Sequence, residues 1–235
     1  MSRQSKWLWG SQIAAFCMLA IWAAVDPSFG SPVRSEWFSD SWIQANPVRS
    51  VGIGLIAILA VGSLLGLLVQ FFARSSPITQ HRSLAQLLAV VTLAGFWFAL
   101  ATHVDSIAWQ GKRARFALRV EGLERIVAPL REEWPERDGE LPAIGPFMAY
   151  PFGRPTTLVL LQAPSVAQQS VYVSAIELQD GAIKLQLTGT DGGDWAEWHP
   201  PSSQPASFVG GLSDPHEMET ATPIGRGWYL VRYQS

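Results

Sequence analysis

Charge, lysine and cysteine are all scarce in this chain. Only 15% of its 235 residues are Asp, Glu, Lys or Arg, against roughly 25% in soluble domains. Three of the 17 basic residues are lysines (Lys6, Lys112, Lys184), and Cys17 is the one cysteine. A single cysteine forms no intrachain disulfide and no cysteine-based metal cluster. There is no HExxH, Walker or dinucleotide-binding pattern, and Ser, His and Asp occur without a nucleophile-elbow motif. Charge is wholly missing from three stretches, Trp7 to Val25, Val51 to Phe72 and Leu84 to Thr102. Proton pumps, ion-coupled transporters and charge-gated channels need ionisable groups inside the bilayer, so these uncharged spans speak against all three.

The longest of the three, VGIGLIAILAVGSLLGLLVQFF, has 22 residues. At about 1.5 Å per residue it crosses a hydrocarbon core about 30 Å thick. The expected fold is therefore a membrane α-helical region, residues 1–104, with transmembrane helices near 7–25, 51–72 and 84–102. A C-terminal α+β domain with a mainly antiparallel sheet follows over 105–235. The first span is read as a retained helix, because its apolar run exceeds a usual signal core and no pair of small residues closes it. Residues 1–104 hold six basic and three acidic residues, and 105–235 hold eleven and sixteen. The acidic outer domain argues against nucleic acid, whose phosphates need a basic surface.

Eleven tryptophans are present. Seven of them (Trp7, Trp9, Trp22, Trp37, Trp42, Trp97, Trp109) lie in or beside the apolar spans, where amphipathic rings settle at headgroup level. The loop 26–47 is expected to dip its Trp37, Phe38 and Trp42 toward the interface. In the central span Gly54, Ile58, Gly62 and Gly66 recur every four residues, giving one small-residue face for close helix packing. The short turn 74–83 predicts an antiparallel hairpin of the second and third spans. Arg3, Lys6, Arg74 and Arg82 place the N-terminus in the cytoplasm and the large domain in the periplasm of a bacterial inner membrane. Arg34, Arg49, Lys112, Arg113, Arg115 and Arg119 favour the reverse. The first assignment is kept because the leading helix usually dominates and Asp105 sits closest to the end of the third span.

Beyond the membrane, Phe116, Val120, Leu123, Val127, Leu130 and Trp134 form one apolar stripe of an amphipathic helix. Pro129 is expected to kink or split it near Ala128. That helix either packs on a sheet or lies along the bilayer with its early Lys/Arg on headgroups. Residues 135–155, with five prolines, read as an irregular connection. Strands are expected at 156–162, 170–179, 182–188 and 227–233. Asp180-Gly181 is a hairpin signal that pairs Gln179 with Ala182 and Glu177 with Lys184. This register puts Tyr172, Ile176, Leu178, Ile183, Leu185 and Leu187 on one face, with Glu177, Gln179, Lys184 and Gln186 on the other.

Candidate chemistry is thin. His103, at the end of the third span, is the candidate ligand for a haem iron or a chlorophyll magnesium. His81 lies at the opposite end of that span and cannot pair with it. Asp214, His216, Glu217 and Glu219, with His199 upstream, have metal-ligand types in what reads as a loop. Asp191 to Asp194 with Glu197 resembles a cation-binding turn only loosely. The expected function is a non-catalytic accessory or structural subunit that packs its helices against other transmembrane proteins in the lipid bilayer and docks its outer domain in a larger complex. A respiratory or photosynthetic complex would suit His103. The alternative is a membrane-anchored enzyme, or a ligand-binding or sensor protein, that uses the outer domain.

Overall fold

The computed structural model describes residues 3–26, 47–73, 80–166, 171–189, 193–211 and 213–234, with side chains described from residue 5 and not at 47–50, 71–73 or 80–86. The expectations for Trp37, Phe38, Trp42 and the turn after Ala73 fall outside these residues. Four helices are described: α1 (Arg3–Val25), α2 (Pro47–Ala73), α3 (Gln80–Ala117) and α4 (Val120–Glu132). The strands are β1 (Gly139–Leu141), β2 (Gly145–Tyr150), β3 (Thr157–Leu160), β4 (Tyr172–Gln179), β5 (Ala182–Thr188), β6 (Asp194–Trp198), β7 (Phe208–Val209), β8 (Pro215–Gly225) and β9 (Trp228–Gln234). The chain divides into two compact units, Met1–Trp109 and Gln110–Ser235.

Three helices are long and apolar enough to cross a membrane, at Ser5–Val25, Val51–Gln70 and Leu87–Ala117, the first two within the first unit and the third running past its end at Trp109. The third helix does not end near Thr102. It continues as one helix to Ala117, so Asp105, Lys112, Arg113 and Arg115 stand on it. Helix α1 packs antiparallel to α2: Leu8 lies against Gly66, and the Trp22 ring lies where a Cβ on Gly52 would be. Glycine at these points lets the backbones approach and so raises dispersion contact, which drives helix association in lipid. A Cβ on Gly54 or Gly62 would meet nothing within 4 Å among the described residues, so the described glycine contacts of this helix lie at Gly52 and Gly66. Helix α1 runs parallel to α3, with Phe16 edge-on to Trp97 at 5.7 Å and Ala23 packed with Val104 and Ala108.

A polar link that periodicity does not reveal ties the three helices together. Gln12, fully buried, donates to Ala60 O at 2.5 Å and to Ser63 Oγ at 2.8 Å. Its Oε1 accepts from Trp97 Nε1 at 2.8 Å. Replacing Gln12 with Leu strands Trp97 Nε1 in an apolar setting and leaves Ser63 Oγ only the carbonyls of its own helix, at Leu59 and Ala60. The variant is expected to lose about 1–2 kcal/mol of helix packing, read as a lower thermal midpoint in mild detergent. An unchanged midpoint would show that the link is dispensable.

The second unit is a nine-stranded antiparallel sheet in the order β1-β2-β3-β4-β5-β6-β9-β8-β7. The β4–β5 register is Gln179 with Ala182 and Glu177 with Lys184, as the hairpin signal predicts. Asp180 and Gly181 both have positive φ, 50° and 78°, as a two-residue type I′ turn requires. One departure is local. A bulge between Val173 and Ala175 turns Val173 into the core and leaves Tyr172 exposed, so Tyr172 leaves the apolar face.

On that face Leu158, Ile176, Ile183, Leu185 and Leu230 are buried. Helix α4 buries Val120, Leu123, Ile126, Val127 and Leu130. Trp228 Nε1 donates to Glu124 Oε2 at 2.9 Å, and the Arg131 guanidinium sits 4.3 Å from the Trp198 ring. These ties set α4 on the sheet, so its apolar stripe is taken by protein rather than by lipid. The break in the expected long helix falls at Leu118 and Arg119, not at Pro129. Proline removes its own N–H but leaves its carbonyl, which accepts from Glu133 N at 3.0 Å, and the helix runs on to Glu132.

Three readings are corrected. Residues 135–155 are not wholly irregular, since β1 and β2 lie within them. Asp194 and Glu197 do not sit in a turn but on β6. The segment from Asp214 to Glu219 is not a loop: residues 215–219 open the long strand β8.

Candidate functional site

The opposite face of the sheet is also covered. Register places Glu177 beside Lys184, Lys184 beside Glu197 and Glu197 beside Tyr229, so three charged side chains stand in a row across β4, β5 and β6. Strand alternation predicts a wet face here, yet all three are buried. The reason is that β7 and the start of β8 fold over this face. Phe208 joins Trp195, Val231 and Tyr233 in one core cluster, and His216 lies 5.1 Å from the Trp195 ring.

Gly210 and Gly211 make the cover possible. A Cβ on Gly210 would stand 2.9 Å from Glu177 Oε1 and 3.2 Å from His216 Nε2, and one on Gly211 would overlap Thr157 Oγ1. The absent side chains let the Gly211 amide reach and donate to the Glu177 carboxyl group. This glycine pair shows no phosphate-binding pattern in the sequence; its role is close approach.

Glu197 is the hub. Its Oε1 accepts from Tyr233 OH at 2.6 Å, and its Oε2 is 2.8 Å from His199 Nε2. The other ring nitrogen of His199 meets Ser203 Oγ at 2.9 Å. Lys184 Nζ lies 3.8 Å from Glu197 Oε1, 3.4 Å from Tyr233 OH and 3.5 Å from the centre of the Phe208 ring. Burial pulls the Lys184 ammonium below its usual range, against the opposing pull of Glu197 and Glu177. Burial pushes the Glu177 carboxyl up, opposed by the Gly211 amide and Lys184. The Tyr233 hydroxyl is pushed up by burial and by the Glu197 charge, which keeps it a donor. Burial lowers the His216 imidazole, opposed first by the nearby Asp214 carboxylate.

A second polar centre lies on the α4 side of the sheet. Asp194 accepts from Lys112 Nζ at 2.9 Å and from Arg232 Nε at 2.7 Å. Lys112 is therefore taken up inside the domain and does not rest on lipid headgroups.

The structure does not gather the metal-ligand candidates. His199 is engaged through both ring nitrogens. His216 is half-buried among aromatic rings, while Asp214, Glu217 and Glu219 are exposed. His216 and Glu217 are consecutive strand residues and point to opposite faces. Among the described residues, no three His, Cys, Asp or Glu stand close enough to hold a metal ion. His103 is exposed, with Nδ1 3.1 Å from Ala99 O and 2.9 Å from Thr102 Oγ1. Sequence reasoning missed Lys112, Glu177, Lys184, Asp194 and Tyr233 as a polar interior; the paired glycines at 210 and 211 were its available signal.

Three long apolar helices followed by an antiparallel sheet with one helix on it define the class, a helical membrane region carrying an α+β domain. Set beside protein-family models, curated proteins and solved structures, the chain matches none of them.

Proposed function

We propose that this chain is a non-catalytic accessory subunit of a larger membrane protein complex, anchored by three spans and docked through its sheet domain. One observation carries the reading: an exposed apolar ridge along β2. Met148 and Tyr150 project outward on alternate positions, Leu161 lies beside the start of the strand, and Phe152, 100% exposed, stands beyond its end. The four strand steps from the level of Leu161 to Tyr150 make about 13 Å of ridge at about 3.3 Å each, with Phe152 in the turn that follows. Exposed large apolar groups in a row are the usual mark of a protein contact. Glu177, Lys184, Glu197 and Tyr233, in contrast, are turned inward, and Glu197 meets both Tyr233 and Lys184. Gly54 and Gly62, with open space before them, offer a surface to a neighbouring helix. Positive residues around the leading helix favour an inner-membrane placement with the N-terminus cytoplasmic and the domain periplasmic.

The test is purification from the native membrane in mild detergent, with a photo-crosslinking residue at position 152 and mass spectrometry of the products. A stoichiometric partner crosslinked at 152 is the expected result. Phe152→Asp is expected to lower its recovery about tenfold, the order of a modest hot-spot loss. Thermal stability should stay within about 0.5 kcal/mol, since the side chain is exposed. A protein that migrates alone and uncrosslinked would overturn the reading. Haem or chlorophyll bands in the same fraction that vanish in His103→Ala would assign that residue as a ligand.

A further inference from the structure

One side-chain relay in the second unit runs from its interior to its surface. His199 follows β6, and Pro200-Pro201 then turns the chain, with Ser203 N donating to Pro200 O at 2.9 Å. The turn brings Ser203 back to His199, so that Oγ stands 2.9 Å from Nδ1 of the ring. On the other side of the ring, Nε2 is 2.8 Å from Glu197 Oε2. His199 is 4% exposed and Glu197 fully buried, whereas Ser203 is half-exposed. The imidazole and the carboxylate are also held from outside the relay. His199 N donates to Gly227 O at 2.8 Å, its ring stands edge-on to Tyr229 at 5.5 Å, and Glu197 Oε1 accepts from Tyr233 OH at 2.6 Å. A surface hydroxyl is thus joined through a fixed, buried imidazole to a buried carboxylate.

A carboxylate accepts and cannot donate, so Nε2 carries the ring proton and Nδ1 keeps the lone pair that faces Ser203. Nucleophile, base and orienting acid then stand in the order by which a serine hydroxyl is activated. From this geometry we infer that Ser203 Oγ is an acceptor site for an acyl group from a neutral carboxylic ester, with His199 as its general base. The bond between Oγ and the acyl carbon forms as the bond from that carbon to the ester oxygen breaks. The Oγ proton passes to His199 Nδ1 and from there to the departing oxygen, which leaves as an alcohol; nothing is oxidised or reduced. Glu197 stands where it balances the imidazolium formed on the way. A relay whose ionic member is a carboxylate suits acyl transfer, whereas phosphoryl transfer draws on cationic clamps. The acceptor site is distinct from the apolar ridge on β2 and does not rest on docking there.

Ser202, exposed and one residue away, supplies a comparison within the same chain. The experiment treats the full chain in mild detergent with p-nitrophenyl acetate and follows acetyl occupancy at Ser202 and Ser203 by peptide mass spectrometry. General-base assistance is worth about 10²–10⁴-fold, so Ser203 is expected to acetylate at least about 100-fold faster than Ser202. His199→Gly should bring Ser203 down to about the Ser202 rate, and added imidazole should restore part of the loss, which a purely structural role does not allow. Equal labelling of the two serines in the unaltered chain would overturn the inference without recourse to any variant. So would a His199→Gly chain that labels Ser203 at the unaltered rate, or one whose loss imidazole leaves in place.

Discussion

Asp194→Ala is expected to destabilise the C-terminal unit by about 3–5 kcal/mol, the usual penalty for stranding a buried charge. Lys112 and Asp194 are each 1% exposed, with Nζ and Oδ2 2.9 Å apart. Arg232, the third member, is 19% exposed. Removing the carboxylate takes from the buried Lys112 ammonium its counter-ion at 2.9 Å, while Arg232 can turn toward water. Loss on this scale is a large fraction of the roughly 5–15 kcal/mol that holds a domain together. Lys112→Met should be milder, since Arg232 still neutralises Asp194. The double variant Lys112→Met/Asp194→Leu should recover part of the loss because no unpaired charge stays buried. The measurement is urea unfolding followed by tryptophan fluorescence, read as a double-mutant cycle. Additive losses would show that the two residues do not act as a pair.

That centre was hidden in the sequence for the same reason that much of the sheet was. Local rules worked where one element decides its own shape. Uncharged runs defined the three spans, Asp180-Gly181 set the β4–β5 register, and the spacing from Val120 to Leu130 found α4. They failed where a distant segment decides. Strand β1 has three residues and β2 begins with Gly145-Pro146, so proline content masked a short edge hairpin. Strand β8 begins with Pro215 and carries Glu217 and Glu219 on its exposed side; acids and prolines blunt sheet edges and also make a strand read as loop. Alternation assumes one wet face. The fold of β7 and β8 across β4–β6 removes it and buries Glu177, Lys184 and Glu197. Nor could spacing join Glu197 to Tyr233, 36 residues apart: the β6–β9 register sets Tyr229 beside Glu197, and Tyr233 reaches the carboxylate along the same face by the length of its side chain. His199 and His216 have the right chemistry for ligands, but the contacts that define them are an internal carboxylate and a set of rings.

The Glu197 hub makes the second large prediction, and it has a pH signature that simple loss of packing lacks. Glu197→Ala removes the acceptor of the Tyr233 hydroxyl, the partner of His199 and the nearest anion to Lys184. A loss of about 3–5 kcal/mol is expected, as for other broken buried pairs. Glu197→Gln keeps an acceptor for Tyr233 but not the charge, and should fall lower in the range for an impaired buried hydrogen bond, about 1–3 kcal/mol. In the native protein burial already lowers the Lys184 pKa from 10.5, and Glu197 is the largest influence opposing that shift. Between the lowered value and 10.5 the unfolded chain binds a proton that the folded one has released, so stability rises with pH through that window. Without the Glu197 charge the folded-state pKa drops further and the window widens downward. Glu197→Gln should therefore regain stability relative to wild type as pH rises from 7 to 10. Adding Lys184→Met should abolish the regain, since no proton is then left to release. Urea midpoints of the three proteins across that range would decide it. A Glu197→Gln deficit that stays constant with pH would mean that Lys184 does not depend on Glu197 for its charge.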